Sequence, residues 1–305
     1  ETVYVWDEPN QVKFGYAKQT LDWVRATFPN QLVFSGTLGW GATSEDYWGA
    51  VGDPNMPPGY LWEDYLEDFI DQVQPDVMMY NTYIFGETGT SSPVLGPKRV
   101  AEASKTAGIP FFAFVQSFEL ENPPRRFPSE SDIRLHVFSH LAYGASGIAY
   151  FTYEHAVGKA QIDELGDPTQ LYYDVQKLNP EAFNLGERIK TLDWGESFWV
   201  KNTASGSVPY PISQWQSFKG TANADPRILD ISPDYAKSGN QGDRKDALLS
   251  VFRDKSTDTR YFMVTNMYND GNMTAADAEL DYYVQFDWTV DHVWRIDRHT
   301  GQEVL

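Results

Sequence analysis

Apolar positions in the first 150 residues recur in a fixed order: a short continuous apolar run, a longer stretch with apolar residues three and four apart, then another short run. Residues 3–6 form such a run, β-branched and aromatic, and it stops at Asp7-Glu8-Pro9. This predicts a buried strand with two carboxylates at its C-terminal end, ended by Pro9, which has no N–H for a ladder. Phe14, Ala17, Leu21, Val24 and Phe28 then keep near-helical spacing up to Pro29-Asn30. The alternation continues with a strand at 32–38, an acidic amphipathic helix at 60–73, a strand at 77–83 and a helix at 97–107 closed by Gly108. A strand at 111–115, a helix at 132–143 opened by Ser129 or Ser131 and closed by Gly144, and a strand at 147–153 complete it. Five strands alternating with four helices, each strand polar at its C-terminal end, predict a parallel α/β sheet with a site along one rim. Right-handed connections of this kind would curve the sheet into a barrel.

Between the second strand and the second helix, residues 39–59 are rich in Gly, Pro and aromatics. They read as a long rim loop carrying Trp40, Tyr47 and Trp48. An acidic helix is expected near 178–192. From about Lys201 the chain turns to Gly, Ser, Pro and Asp, then to alternating runs at 247–253, 260–265, 279–285 and 292–296. These predict antiparallel strands of a small sandwich-like domain beginning between Trp194 and Ala247.

The 305 residues, 41% hydrophobic, suffice for one large domain or a large and a small one. A formal charge of −19 argues against nucleic acid or an anionic membrane as partner, since both need Lys and Arg stripes. No apolar run reaches membrane-spanning length. The absence of cysteine excludes a disulfide scaffold, a catalytic thiol and Cys-based zinc. Aromatic residues make up 15%, and their faces and polar tips suit sugar rings, although large cores collect them too. Asp7 and Glu8 carry the sharpest chemistry. A half-desolvated rim carboxyl has the raised pKa of a general acid, while the competing reading is an acidic cap on the following helix.

Four stretches resemble barrel strands four, six, seven and eight of the clan A glycoside hydrolases, with the closest likeness to β-galactosidase-like bacterial members. They are Val-Tyr-Val-Trp-Asp-Glu-Pro at 3–9, Asp-Val-Met-Met-Tyr-Asn-Thr-Tyr at 76–83, Ile-Pro-Phe-Phe-Ala-Phe-Val-Gln-Ser at 109–117, and 138–153, ending Gly-Ala-Ser-Gly-Ile-Ala-Tyr-Phe-Thr-Tyr. The resemblance implies a (β/α)8 TIM-barrel type fold, with strands four to eight in residues 1–200 as the C-terminal part of the catalytic domain. Residues 201–305 would then be a β-sandwich-like accessory domain. Strands one to three have no place in the chain, so a barrel would need a preceding part of the same protein as partner. A secreted or periplasmic enzyme degrading a polysaccharide is the implied setting, with no cofactor and no metal.

In that clan the acid/base glutamate ends strand four, which falls on Glu8. The nucleophilic glutamate ends strand seven, where this chain has Gln116-Ser117, and a carboxamide forms no glycosyl ester. Glu119, three residues on, is the implied catalytic partner, with Glu154 a second candidate; Glu119 reads equally as a solvated loop acid. Tyr83 matches a tyrosine that hydrogen-bonds the nucleophile, or is a rim aromatic of the last core layer. Asp7, Trp40, Asn81, Gln116, Tyr153 and Glu154 would line the sugar subsites. Two carboxyls about 5–5.5 Å apart would retain configuration, and about 6.5–9.5 Å would invert it. The expected reaction is retaining hydrolysis of β-glycosidic bonds; Gln116 keeps open a non-catalytic carbohydrate-binding protein on a decayed hydrolase fold.

Overall fold

The computed structural model describes residues 2–87, 89–202, 207–221, 224–233 and 246–305. In chain order the first elements are β1 Thr2–Tyr4, α1 Phe14–Thr27, β2 Leu32–Thr37, α2 Ser44–Trp48, α3 Trp62–Val73, β3 Met78–Thr82, β4 Phe85–Gly86 and β5 Gly89–Thr90. There follow α4 Leu95–Ala107, β6 Phe111–Gln116, α5 Glu130–Leu141, β7 Gly147–Phe151, α6 Gln170–Ile189, β8 Leu192–Val200, β9 Ser213–Gln214 and α7 Trp215–Phe218. The last strands are β10 Ile228–Pro233, β11 Ala247–Asp254, β12 Arg260–Asn266, β13 Tyr282–Phe286, β14 Arg295–Ile296 and β15 Glu303–Val304. Part of the Gly-, Ser-, Pro- and Asp-rich stretch after Lys201 lies outside the described residues. The chain divides into two compact units: residues 1–83, 96–115 and 145–149, and residues 84–95, 116–144 and 150–305.

The first unit is built on a parallel sheet of order β1-β2-β3-β6-β7. Side chains alternate between its faces. One face carries Val33, Met78, Tyr80, Phe111 and Ala113, all buried. The apolar stripe of α1 (Phe14, Ala17, Leu21, Val24) and that of α3 (Trp62, Tyr65, Leu66, Phe69, Val73) are buried as their spacing predicts, except that Phe28, the last position of the first stripe, caps α1 and is exposed. The Phe14 ring meets Tyr65 at 5.4 Å and Phe69 at 5.6 Å, and Trp62 lies 6.3 Å from Tyr80. Each such side chain contributes about 1.5–3 kcal/mol by leaving water. On the other face Tyr4, Phe34, Phe112 and Phe114 form an aromatic ladder with centroid separations of 5.4, 6.0 and 6.2 Å. Asn81 stands on this second face, two residues beyond Met79.

The expected barrel does not form. Five parallel strands lie in one open sheet whose edges are β1 and β7, and among the described residues no ladder joins these edges. A closed parallel barrel requires eight tilted strands, and five cannot complete the turn. The antiparallel strands expected after residue 201 lie in separate sheets. One is four-stranded, β12-β11-β8-β9, and includes β8 from upstream of that boundary and a parallel β8–β9 pair. Two others are the pairs β10-β13 and β14-β15. With seven α-helices among the described residues, the fold is mixed α/β.

The second unit has its own core. Phe198 and Val200 of β8, Ala247 and Leu249 of β11, and Ile228 and Ile231 of β10 bury around Trp215, with Val284 and Phe286 of β13 packed against them. Ser129 caps α5 in a capping box with Asp132. Asp132 is buried and accepts from both terminal nitrogens of Arg126, from Asn269 Nδ2 at 2.6 Å and from the Ser129 N–H at 3.0 Å. This pairing joins the arginine of the Pro-rich loop to the start of α5 and the chain beyond β12.

Candidate active site around Glu8

Neither Asp7 nor Glu8 caps a helix. The 3₁₀ turn at Gln11–Lys13 is preceded by Asn10, and α1 by Lys13, with no side-chain cap bond at either. The two acids instead occupy the loop leaving β1. Glu8 has a φ of 45°, a left-handed conformation that costs a non-glycine residue of order 1–3 kcal/mol and persists only where its surroundings hold it.

Those surroundings come from α3. The Tyr65 hydroxyl donates to the Pro9 carbonyl at 2.8 Å and accepts the Leu38 N–H at 3.1 Å. Trp62 Nε1 donates to the Leu38 carbonyl at 2.9 Å. One helix thus fixes the chain leaving both β1 and β2. Asn81 Nδ2 donates to Glu8 Oε1. Gly39 abuts Asn81 so closely that a Cβ there would stand 2.5 Å from Asn81 Oδ1, so this rim requires glycine. Tyr4 donates to Asp7 Oδ1 at 2.5 Å.

Burial pushes the Glu8 carboxyl above its ordinary value; the Asn81 hydrogen bond works against this, and the Asp7 charge adds to it. Tyr83 is raised by burial and by the Glu8 and Asp7 charges, which brings it into the same cluster. A partly desolvated carboxyl held by an amide beside a phenol is equipped to deliver a proton.

The first unit brings Asp7, Glu8, Asn81 and Tyr83 together, with Trp40 following Gly39. Trp40 is 55% exposed. The remaining predicted residues belong to the second unit. Gln116 is wholly buried and its carboxamide is spent on the backbone: Oε1 accepts the Phe85 N–H at 3.0 Å, and Nε2 is shared among the carbonyls of Phe85, Phe118 and Arg126 at 3.1–3.3 Å. The expectation that Gln116 lines a sugar subsite is therefore replaced by a scaffold role. Glu119 is exposed, its backbone N–H bonded to the Lys159 carbonyl at 2.7 Å. Glu154 is also exposed and sits in a tight turn, its carbonyl accepting from the Thr152 hydroxyl and the Ala156 N–H. Tyr153 is 57% exposed.

Sequence reasoning missed Tyr65, whose hydroxyl organises the rim, because its place in the apolar stripe of α3 hid its polar end. It also missed the Tyr4–Asp7 bond. Among the described residues no three His, Asp or Glu side chains cluster as metal ligands, and no helix is long and apolar enough to cross a membrane. Compared with known families and characterised proteins, the chain matches no family model and no curated protein.

Proposed function

We propose that the protein is a glycoside hydrolase acting on β-glycosidic bonds, with Glu8 as the proton donor. The observation that carries this reading is the state of Glu8: partly buried, raised in pKa, held at a positive φ and bonded to Asn81. A carboxyl protonated above the usual range transfers its proton to the leaving oxygen, then takes one from water when the sugar is released. The resemblance to clan A glycoside hydrolases puts its acid/base residue at this position. Which acid supplies the second carboxylate, with Glu119 and then Glu154 expected from the sequence, is left to the variants below.

A panel of nitrophenyl β-glycosides and neutral oligosaccharides tests this. Glu8→Gln is expected to lower kcat by about 10²–10⁴-fold, with the wild-type alkaline limb, where the proton donor loses its proton, lying above the ordinary glutamate value. Turnover unchanged in Glu8→Gln overturns the assignment. Glu119→Gln and Glu154→Gln then decide between the two partners. The second reading, carbohydrate binding without catalysis, is favoured by Gln116, whose buried amide stands where the resembled clan has its nucleophile. Saccharide binding with no turnover in the wild type would select it.

A further inference from the structure

A cleft of about 380 Å³ lies between the end of β7 and α6, within the second unit. Tyr150 and Tyr153 line it from the strand end, Gln161 from the following loop, and Tyr172, Gln176 and Asn179 from the helix. The three helical residues are spaced i, i+4, i+7 and share one face of α6. The volume falls within the range of small-molecule sites.

Its chemistry is narrow. The lining contains three phenol rings and three carboxamides and no charged side chain. Carboxamides both donate and accept, which matches hydroxyl groups, and phenol faces match the C–H faces of a pyranose ring. An anionic ligand would find no cation here, in a chain of net charge −19. A cationic ligand would find no carboxylate in the lining.

The walls are set in advance. Tyr150 donates to Asn179 Oδ1 at 2.7 Å, joining strand to helix and fixing that amide's orientation. Gln161 is 3% exposed; its Nε2 reaches Ser117 Oγ at 3.4 Å and its carbonyl accepts from the hydroxyl of Thr169, the residue before α6. Tyr153 is open to solvent beside Tyr172, ring centroids 6.4 Å apart and planes at 59°. Fixed amides beside an accessible ring lower the ordering cost of binding.

We infer that this cleft is a binding site for a neutral saccharide. It shares no residue with the Glu8 cluster; Tyr153 is the one lining residue that the resemblance also placed among the sugar subsites.

The test is calorimetric titration of the full chain with neutral tetrasaccharides (cello-, xylo-, manno- and galacto-), in wild type, Tyr153→Ala, Gln176→Ala and Glu8→Gln. Tyr153 and Gln176 are both exposed, so neither variant removes core packing, and circular dichroism confirms the fold. At least one tetrasaccharide is expected to bind wild type and Glu8→Gln with similar Kd, and to weaken about tenfold in Tyr153→Ala and in Gln176→Ala. No binding by any tetrasaccharide, or equal binding in wild type and both cleft variants, overturns the inference. Tyr153-dependent binding of a proline-rich peptide but of no sugar overturns it as well. Turnover follows Glu8 and cleft binding follows Gln176, which lies outside the expected sugar subsites, so failure of one reading is separable from failure of the other.

Discussion

His136 and His140 make stability depend on pH in a calculable way. Both lie one turn apart on α5, wholly buried, ring centroids 5.0 Å apart. His136 Nδ1 accepts the Gln116 N–H at 3.2 Å, so its proton resides on Nε2 and a second proton would break that bond. His140 Nδ1 lies 2.6 Å from the His136 carbonyl and carries the proton. Burial holds His136 well below the usual histidine value, and the His140 charge would hold it lower. Burial brings His140 down to about 4, against the bond to the His136 carbonyl. Folded values below unfolded ones mean that the unfolded chain binds more protons between about pH 6.5 and 4. Stability is therefore full above pH 6.5 and falls as the pH drops through this window. For His140 alone the loss is about 2 kcal/mol at pH 5 and about 3 kcal/mol at pH 4, a large share of a typical 5–15 kcal/mol. His136 adds to it in the same direction. Glu8 and Asp174, both raised by burial, act in the opposite sense near the carboxylate range, so the variant comparison isolates the histidine share. Urea unfolding followed by tryptophan fluorescence at pH 7.5, 6 and 5 measures the slope. His140→Asn keeps a donor for the His136 carbonyl and removes the titration. It is expected to lose less stability than wild type between pH 7.5 and 5, by about 2 kcal/mol. Equal losses in wild type and variant would refute the reasoning.

Gln116→Glu places a carboxylate against the carbonyls of Phe85, Phe118 and Arg126. It is expected to cost about 3 kcal/mol or more in thermal or urea unfolding and to add no glycosidase activity; a gain in turnover would show that Gln116 occupies a catalytic position. Asp132→Ala leaves Arg126, Asn269 and the Ser129 N–H without their shared acceptor. A loss of about 3–5 kcal/mol is expected in urea unfolding, and a loss under 1 kcal/mol would mean the network contributes little. Asn81→Ala removes the hydrogen bond that opposes burial at Glu8. The Glu8 carboxyl, followed by ¹³C NMR, is expected to titrate at higher pH; a downward move contradicts the assigned cause.

The parallel strands and the helices α1 and α3 were legible because each buries one stripe of a regular element, and a stripe is a property of local spacing. β8 was not. Its register against β11 shifts around Glu196 and Trp194, next to Gly195, so the alternation expected of a half-buried strand is broken in its middle. α6 runs through Pro180, a residue that normally marks a helix boundary, and this moved the expected start of the helix from 170 to about 178. The barrel expected from right-handed connections and from the resemblance does not follow from local pattern, since closure depends on how many strands pair, and the strand count of five already pointed to an open sheet. The site divides along the same line. Glu8 was visible as an acid ending an apolar run. Its partner Asn81 is 73 positions away in sequence and meets it only because β1, β2 and β3 pair in register, carrying Asn81 to the rim where Glu8 leaves the sheet. Gln116 shows the converse: a residue conspicuous by its place in a motif is consumed by four backbone groups that come from three separate stretches of chain. A position in a motif names a place on the sheet, and the hydrogen bonds made there decide whether the side chain is left to act on anything else.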